Sequence, residues 1–129
     1  MSVPLAIAAA LAVVIGAAHS SLGERFILIR LFRRDELPRL FGSDWFTRRT
    51  LRFAWHLTTV AWWGLAAVLL VLGVEETPAE VKVVKTVRVI GWTFAVSAVI
   101  AFAASRGRHL SWIVFGGIAI ACLATVGLS

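Results

Sequence analysis

Four apolar runs, each about as long as a bilayer is thick, constrain this chain more than any other feature. They lie at about 3–22, 51–74, 79–104 and 109–128 of 129 residues. An α-helix needs about 20 apolar residues to cross the hydrocarbon layer, so four runs use most of the chain. Inside lipid every backbone N–H and C=O needs a partner within its own segment, which restricts such runs to helices. The expectation is a single all-α integral membrane domain, with four transmembrane helices in an up-and-down bundle. Its main extramembrane part is an arginine-rich connection at 25–50. Hydrophobic residues make up 60% of the sequence and the mean hydropathy is +0.88, well above the balance of a soluble domain.

The formal charge of +6 does not require nucleic acid, because the basic residues flank the apolar runs. Arg25, Arg30, Arg33, Arg34, Arg39, Arg48, Arg49 and Arg52 cluster in or beside the first connection, and Arg106 and Arg108 in the third. Lys82, Lys85 and Arg88 alone mark the opposite side. The excess of Lys and Arg on one side places that side in the cytoplasm, with both termini on the non-cytoplasmic side of an inner (plasma) membrane. The lipid bilayer is then the first partner, and a redox partner or a second copy of the chain are further candidates. Val3–Ala18 has the length of a signal-peptide core but no preceding basic residue, so it is read as a retained span. Cys122 is the single cysteine, which excludes an internal disulfide and suits a small apolar packing role.

Local signals fill in the path. Ala8, Ala12, Gly16 and Ser20 repeat every four residues and form a stripe where a second helix can approach closely. Leu37–Pro38 stops the first helix, and Ser43 or Asp44 offers a cap for the second. Thr77-Pro78-Ala79-Glu80 has the pattern of a capping box with proline at the first helical position. Ser105–Arg108 turns around Gly107 and sets the third and fourth spans antiparallel. Gly116 and Gly117 offer another close approach.

The chemistry centres on Arg52–Gly64, RFAWHLTTVAWWG, where Arg52, His56, Thr59 and Trp63 share one helical face. An ionisable group inside a span is costly and marks a functional site by default. The only other histidines are His19, near the end of span 1, and His109, at the start of span 4. At about 1.5 Å per residue the three imidazoles fall within roughly 10 Å of depth, on the arginine-rich side. Imidazoles from several helices suit a transition metal, iron or zinc. His19, His56 and His109 are therefore the expected metal ligands, with Glu24 as the fourth. Glu24 stands five residues beyond His19, so sharing a site with it requires a helix irregularity near Gly23 or a second ion. Asp35, Glu36 and Asp44 offer further carboxylates for a multinuclear cluster.

Arg52 and Arg108 would balance charge, with Arg52 facing either an anionic ligand or Glu24. Thr59 and Trp112 would support the ligands, Trp112 by shielding His109. The site is open to redox chemistry, but neither HExxH nor Glu-x-x-His is present, so no catalytic residue is assigned.

Two alternatives stand beside the metal. Two histidines could hold haem b in an electron carrier, with Arg52, Arg106 or Arg108 on the propionates and Trp55, Trp62, Trp63 and Trp112 against the ring. Or the histidines are hydrogen-bonding or proton-relay groups in a small structural or transport subunit. The tryptophans, Trp92 included, also fit the simpler role of interfacial anchors.

Overall fold

The computed structural model of the protein describes residues 1–127 and is all-helical apart from short connections. Helix α1 runs from Val3 to Leu31 and changes winding on the way. Val3–Leu22 is α-helical, Gly23–Leu28 forms a π-turn, and Ile29–Leu31 returns to α. Helix α2 is Trp45–Gly73, α3 is Ala79–Ser105 and α4 is Ser111–Val126. The first three, of 29, 29 and 27 residues, are long and apolar enough to cross a membrane, and α4 is a shorter apolar helix of 16. This is a membrane protein with an up-and-down bundle of four helices.

The observed helices extend two of the expected spans on the arginine-rich side. Helix α1 continues nine residues past Leu22 because 26–32 stays apolar except for Arg30. Helix α2 begins at Trp45, six residues before the apolar run, because Asp44 supplies the carbonyl that Arg48 N–H reaches at 2.9 Å. The carboxylate of Asp44 does not cap the helix. It turns to the Arg48 side chain, whose Nε donates to Oδ2 at 2.7 Å. That hydrogen bond from Arg48 holds the Asp44 carboxyl below its ordinary value.

At α3, Pro78 rather than Thr77 occupies the cap position, and no side-chain cap bond forms. The capping-box pattern therefore marks the boundary without making its hydrogen bonds. Lys82 N–H instead bonds the Pro78 carbonyl at 3.0 Å. The last expected span begins at Ser111 rather than His109, and its expected end at Leu128 lies outside the described residues.

Each helix packs against its neighbours in the chain: α1 on α2, α2 on α3, and α3 on α4. The closest approaches use small residues. In α1, Ala9, Gly16 and Gly23 are buried at seven-residue intervals, a refinement of the four-residue stripe. A Cβ on Gly16 would meet the Trp63 indole at 2.8 Å, and one on Gly23 would meet Trp55 at 2.2 Å. On the next interface Thr93 lies over Gly64, and Leu123 and Cys122 lie over Gly91. Gly116 and Gly117 have no atom within 4 Å of where a Cβ would sit, so the expected close contact there is absent within one chain. The turn between α3 and α4 closes through Arg106 and Gly107, both at positive φ (52° and 75°), with Gly107 N–H on the Phe102 carbonyl at 2.9 Å. A glycine suits the second of these positions because it carries no Cβ.

Candidate functional site

The antiparallel packing of α1 on α2 builds the site. Going along α1, Gly16 lies against Thr59 and Trp63, Ser20 against Thr59 and His56, and Glu24 against His56 and Arg52. The α2 side of this register is the Arg52–His56–Thr59–Trp63 face. The α1 side is the small-residue stripe, extended by the π-turn. A π-turn adds a residue to the helical turn and is frequent at functional sites. Here it carries Glu24 to the α2-facing side.

Glu24 joins two groups. Its Oε1 is 2.9 Å from Arg52 Nη2, and its Oε2 is 3.2 Å from His56 Nε2. Of the two partners considered for Arg52, Glu24 is the one in contact. The other nitrogen of His56, Nδ1, is 2.8 Å from Ser20 Oγ. Ser20 Oγ lies 2.7 Å from Thr59 Oγ1, which in turn reaches the Gly16 carbonyl at 3.1 Å. A continuous polar chain thus runs from Arg52 through Glu24, His56, Ser20 and Thr59 to the α1 backbone. Thr59 is buried, while Glu24 and His56 are half-buried.

Counting hydrogens restricts the proton positions. Thr59 has one hydroxyl hydrogen and two acceptors within reach. When it donates to Gly16 O, Ser20 donates to Thr59 and His56 Nδ1–H donates to Ser20. With Glu24 ionised beside Arg52, Nε2–H donates as well, and the imidazole is a cation. When Thr59 donates to Ser20, Ser20 donates to Nδ1, and His56 is neutral with its proton on Nε2. The second pattern gives up the Thr59–Gly16 carbonyl bond and otherwise keeps the same contacts. They differ by one proton on His56 and the direction of two hydroxyls.

The other two histidines have different surroundings. His19 stacks on Trp55, with ring centroids 4.5 Å apart and planes 3° from parallel, and Trp62 flanks it at 5.0 Å. Thr58 donates to the Trp55 carbonyl at 2.6 Å, so the 2.8 Å contact between Thr58 Oγ1 and His19 Nε2 has the imidazole as donor. Trp55 Nε1–H in turn donates to the His19 carbonyl. His109 packs between Phe46 and Phe53, and its Nδ1 lies 2.8 Å from Ser111 Oγ and accepts from Ser111 N–H at 3.3 Å. His109 therefore caps the first residue of α4.

Trp112 does not shield His109. It lies edge-on to Phe102 and donates to the Gly107 carbonyl. Arg108 lies over the Trp45 ring, away from the His56 chain.

The expected ligands are thus only partly gathered. Glu24 and His56 touch, with Arg52 and Thr59 beside them, while His19 and His109 each have other partners. Among the described residues no three of His, Cys, Asp and Glu come together as a metal-binding group. The helix irregularity near Gly23 is present, and it turns Glu24 toward His56. Ser20 was legible only as a small residue. Its place opposite His56 follows from the register of two helices 36 residues apart, which no local spacing encodes.

Glu24, His56 and Ser20 also stand in the order acid, base, hydroxyl found in nucleophilic hydrolases. Ser20 lies inside α1, however, where neighbouring N–H groups are used by the helix, as Gly23 N–H is on the His19 and Ser20 carbonyls. Backbone donors for an oxyanion are therefore missing beside it. What the arrangement can do with its own groups is hold a proton at either end of His56 and pass it along hydroxyls. Compared with known proteins, the chain matches no family model, no curated protein and no solved structure.

Proposed function

We propose that the protein is an inner-membrane proton-handling subunit whose working group is the Glu24–His56 pair at the cytoplasmic end of the bundle. The observation that carries this reading is the position of His56 between an ion-paired carboxylate at 3.2 Å and a hydroxyl chain that begins at 2.8 Å. Histidine is the side chain whose ordinary titration falls between about pH 5 and 8. A proton arriving from the arginine-rich side meets Glu24 first, is held at His56, and reverses the Ser20 and Thr59 hydroxyls as it comes or goes. Orientation follows from ten basic residues on the side of Glu24 and three on the other.

No acidic or basic side chain lies within α2 beyond His56, so one chain carries the proton only part of the way. The protein then acts as a proton-dependent switch or as an entry half-path, and does not itself conduct protons across the bilayer.

Infrared difference spectra of the protein in lipid nanodiscs, taken between pH 5 and 8, test the reading. Carboxylate bands assigned through Glu24→Gln are expected to shift as the imidazole changes charge, and to stop shifting in His56→Gln. Glu24 bands that ignore His56 would refute the coupling.

A second reading keeps a transition metal. It is favoured by the contact of Glu24 with His56, since imidazole plus carboxylate is a donor pair that iron and zinc accept. It requires His19 to leave Thr58 and supply a third donor. Elemental analysis of the chelator-washed protein separates the two readings. Near-stoichiometric iron or zinc lost in His56→Ala supports the metal, and a metal-free protein that still shows the coupled infrared bands supports the proton.

A further inference from the structure

A second polar feature adjoins the first, where Arg49, Arg52, Phe53 and His56 of α2 meet Ile100 and Ala104 of α3. These six residues line a cavity of about 360 Å³ at the arginine-rich end, within the usual size range for a small-molecule site of about 300–1,000 Å³. Beside it, three guanidiniums gather round one indole. The Cζ atoms of Arg49, Arg106 and Arg108 lie 5.3, 5.6 and 5.2 Å from the centre of the Trp45 ring.

Among the described residues none of these three arginines forms a salt bridge. The ion pairs of this end are Asp44 with Arg48, and Glu24 with Arg52 and His56. Arg49 instead donates to the Ala104 carbonyl at 3.3 Å, which fixes it at the cavity rim. Three cations around one indole, none of them in a salt bridge among the described residues, offer unpaired donors to a multi-oxygen anion, and guanidiniums match phosphate oxygens in forked geometry.

An apolar groove adjoins the cavity. Ile100 is shared between its wall and a long groove between α2 and α3, of about 710 Å³. The groove continues along Val60, Ala67, Val89 and Val96 toward the opposite end of the bundle.

We infer that this is a binding site for an anionic membrane amphiphile, with its phosphate headgroup held by Arg49, Arg106 and Arg108 and its acyl chain along the α2–α3 groove. Charge complementarity selects the headgroup, and the apolar groove that shares Ile100 with the cavity selects an amphiphile over free phosphate. Arg52 and His56 belong to the Glu24 chain as well as to the cavity wall, but Arg49, Arg106 and Arg108 do not, so replacing those three arginines tests the lipid site without altering the proton chain.

Native mass spectrometry of the detergent-solubilised chain tests it, with phosphatidylglycerol, phosphatidylcholine and inorganic phosphate as the probes. The expected result is one retained phosphatidylglycerol per chain, bound at least tenfold more tightly than phosphatidylcholine. Inorganic phosphate is expected to compete only at far higher concentration. Arg49→Gln with Arg106→Gln should abolish the preference, while the equal charge change Arg30→Gln with Arg33→Gln should leave it.

Ile100→Trp, which fills the wall shared by cavity and groove without changing charge, should weaken long-chain phosphatidylglycerol about tenfold and leave a short-chain form unaffected. This variant also decides the matter should the double arginine variant not purify as a folded protein. Equal binding of both headgroups, an equal loss in the Arg30/Arg33 control, phosphate competing as well as lipid, or long and short chains responding alike to Ile100→Trp would each overturn the proposal.

Discussion

At the scale of single residues, the account rests on hydrogen bonds that share atoms. Ser20 and Thr59 are 2.7 Å apart, and each also serves another partner, His56 on one side and the Gly16 carbonyl on the other. Replacing Ser20 with alanine leaves His56 Nδ1 facing an apolar methyl, and losing a hydrogen bond at a half-buried group costs about 0.5–1.5 kcal/mol. Thr59→Val should cost a similar amount. Because the two residues share one bond, the double variant should fall short of the sum of the singles by at least about 0.5 kcal/mol. Reversible unfolding in mixed micelles reads all three. Strict additivity would mean that the hydroxyl chain is not connected.

Much of this residue-level chemistry was legible beforehand, and for a definite reason. Arg52, His56 and Thr59 share one helical face through local periodicity alone. Glu24 announced itself as a lone carboxylate near the end of an apolar run, and its five-residue offset from His19 required the irregularity that the π-turn provides. The separation of His19 and His109 from His56 was not legible. Equal depth in a bilayer says nothing about which way a ring points around its helix. That direction depends on Trp55 for His19 and on Phe46, Phe53 and Ser111 for His109.

At the scale of elements, the contact between α1 and α2 decides the site, and Gly23 is its tightest point. A methyl group there would sit 2.2 Å from the Trp55 indole. Gly23→Ala must therefore push Trp55 aside, breaking its bond to the His19 carbonyl and its stack on the His19 ring. Overpacking of this kind costs about 1–3 kcal/mol. It should appear as a red-shifted, more quenchable tryptophan emission, whereas Gly116→Ala, which meets nothing, should leave emission unchanged and stability unchanged or slightly raised.

The start of α2 makes a separate prediction about pH. The Arg48 hydrogen bond depresses the Asp44 carboxyl in the folded protein. Its contribution is therefore complete above the ordinary value near 3.8 and is lost as pH falls through the lower folded value. Amide exchange at Trp45–Arg48, corrected for intrinsic rate, should be steady from pH 7 to 5 and faster below about 4. Asp44→Asn should show the faster exchange at every pH.

At the scale of the whole molecule, the helices lie with each against its neighbour in sequence, so every interface is made once and every helix keeps faces for lipid. The alternation of apolar runs and short connections already required helices and an up-and-down path. It left the order of packing open, because any of the four could have closed against any other. The small residues decide that order: Gly16 and Gly23 admit Trp63 and Trp55, Gly64 admits Thr93, and Gly91 admits Leu123. The consequence for function is that the polar groups stay at one end. The Glu24–His56 chain and the arginine cavity adjoin at Arg52 and His56, near the first turns of α2. At the far ends the charged groups are Glu75, Glu76, Glu80, Lys82, Lys85 and Arg88, with the N-terminus 3.9 Å from Glu75, close to that surface.

The most direct test of the central claim, that His56 exchanges a proton within this chain, is nitrogen-15 magnetic resonance of histidine-labelled protein in nanodiscs between pH 5 and 8. With His56 assigned through His56→Gln, its Nδ1 resonance should move reversibly between acceptor and protonated positions, and Glu24→Gln, which removes the carboxylate beside Nε2, should alter its Nε2 resonance. A His56 ring that keeps one neutral tautomer across the whole range, with or without Glu24, would contradict the account.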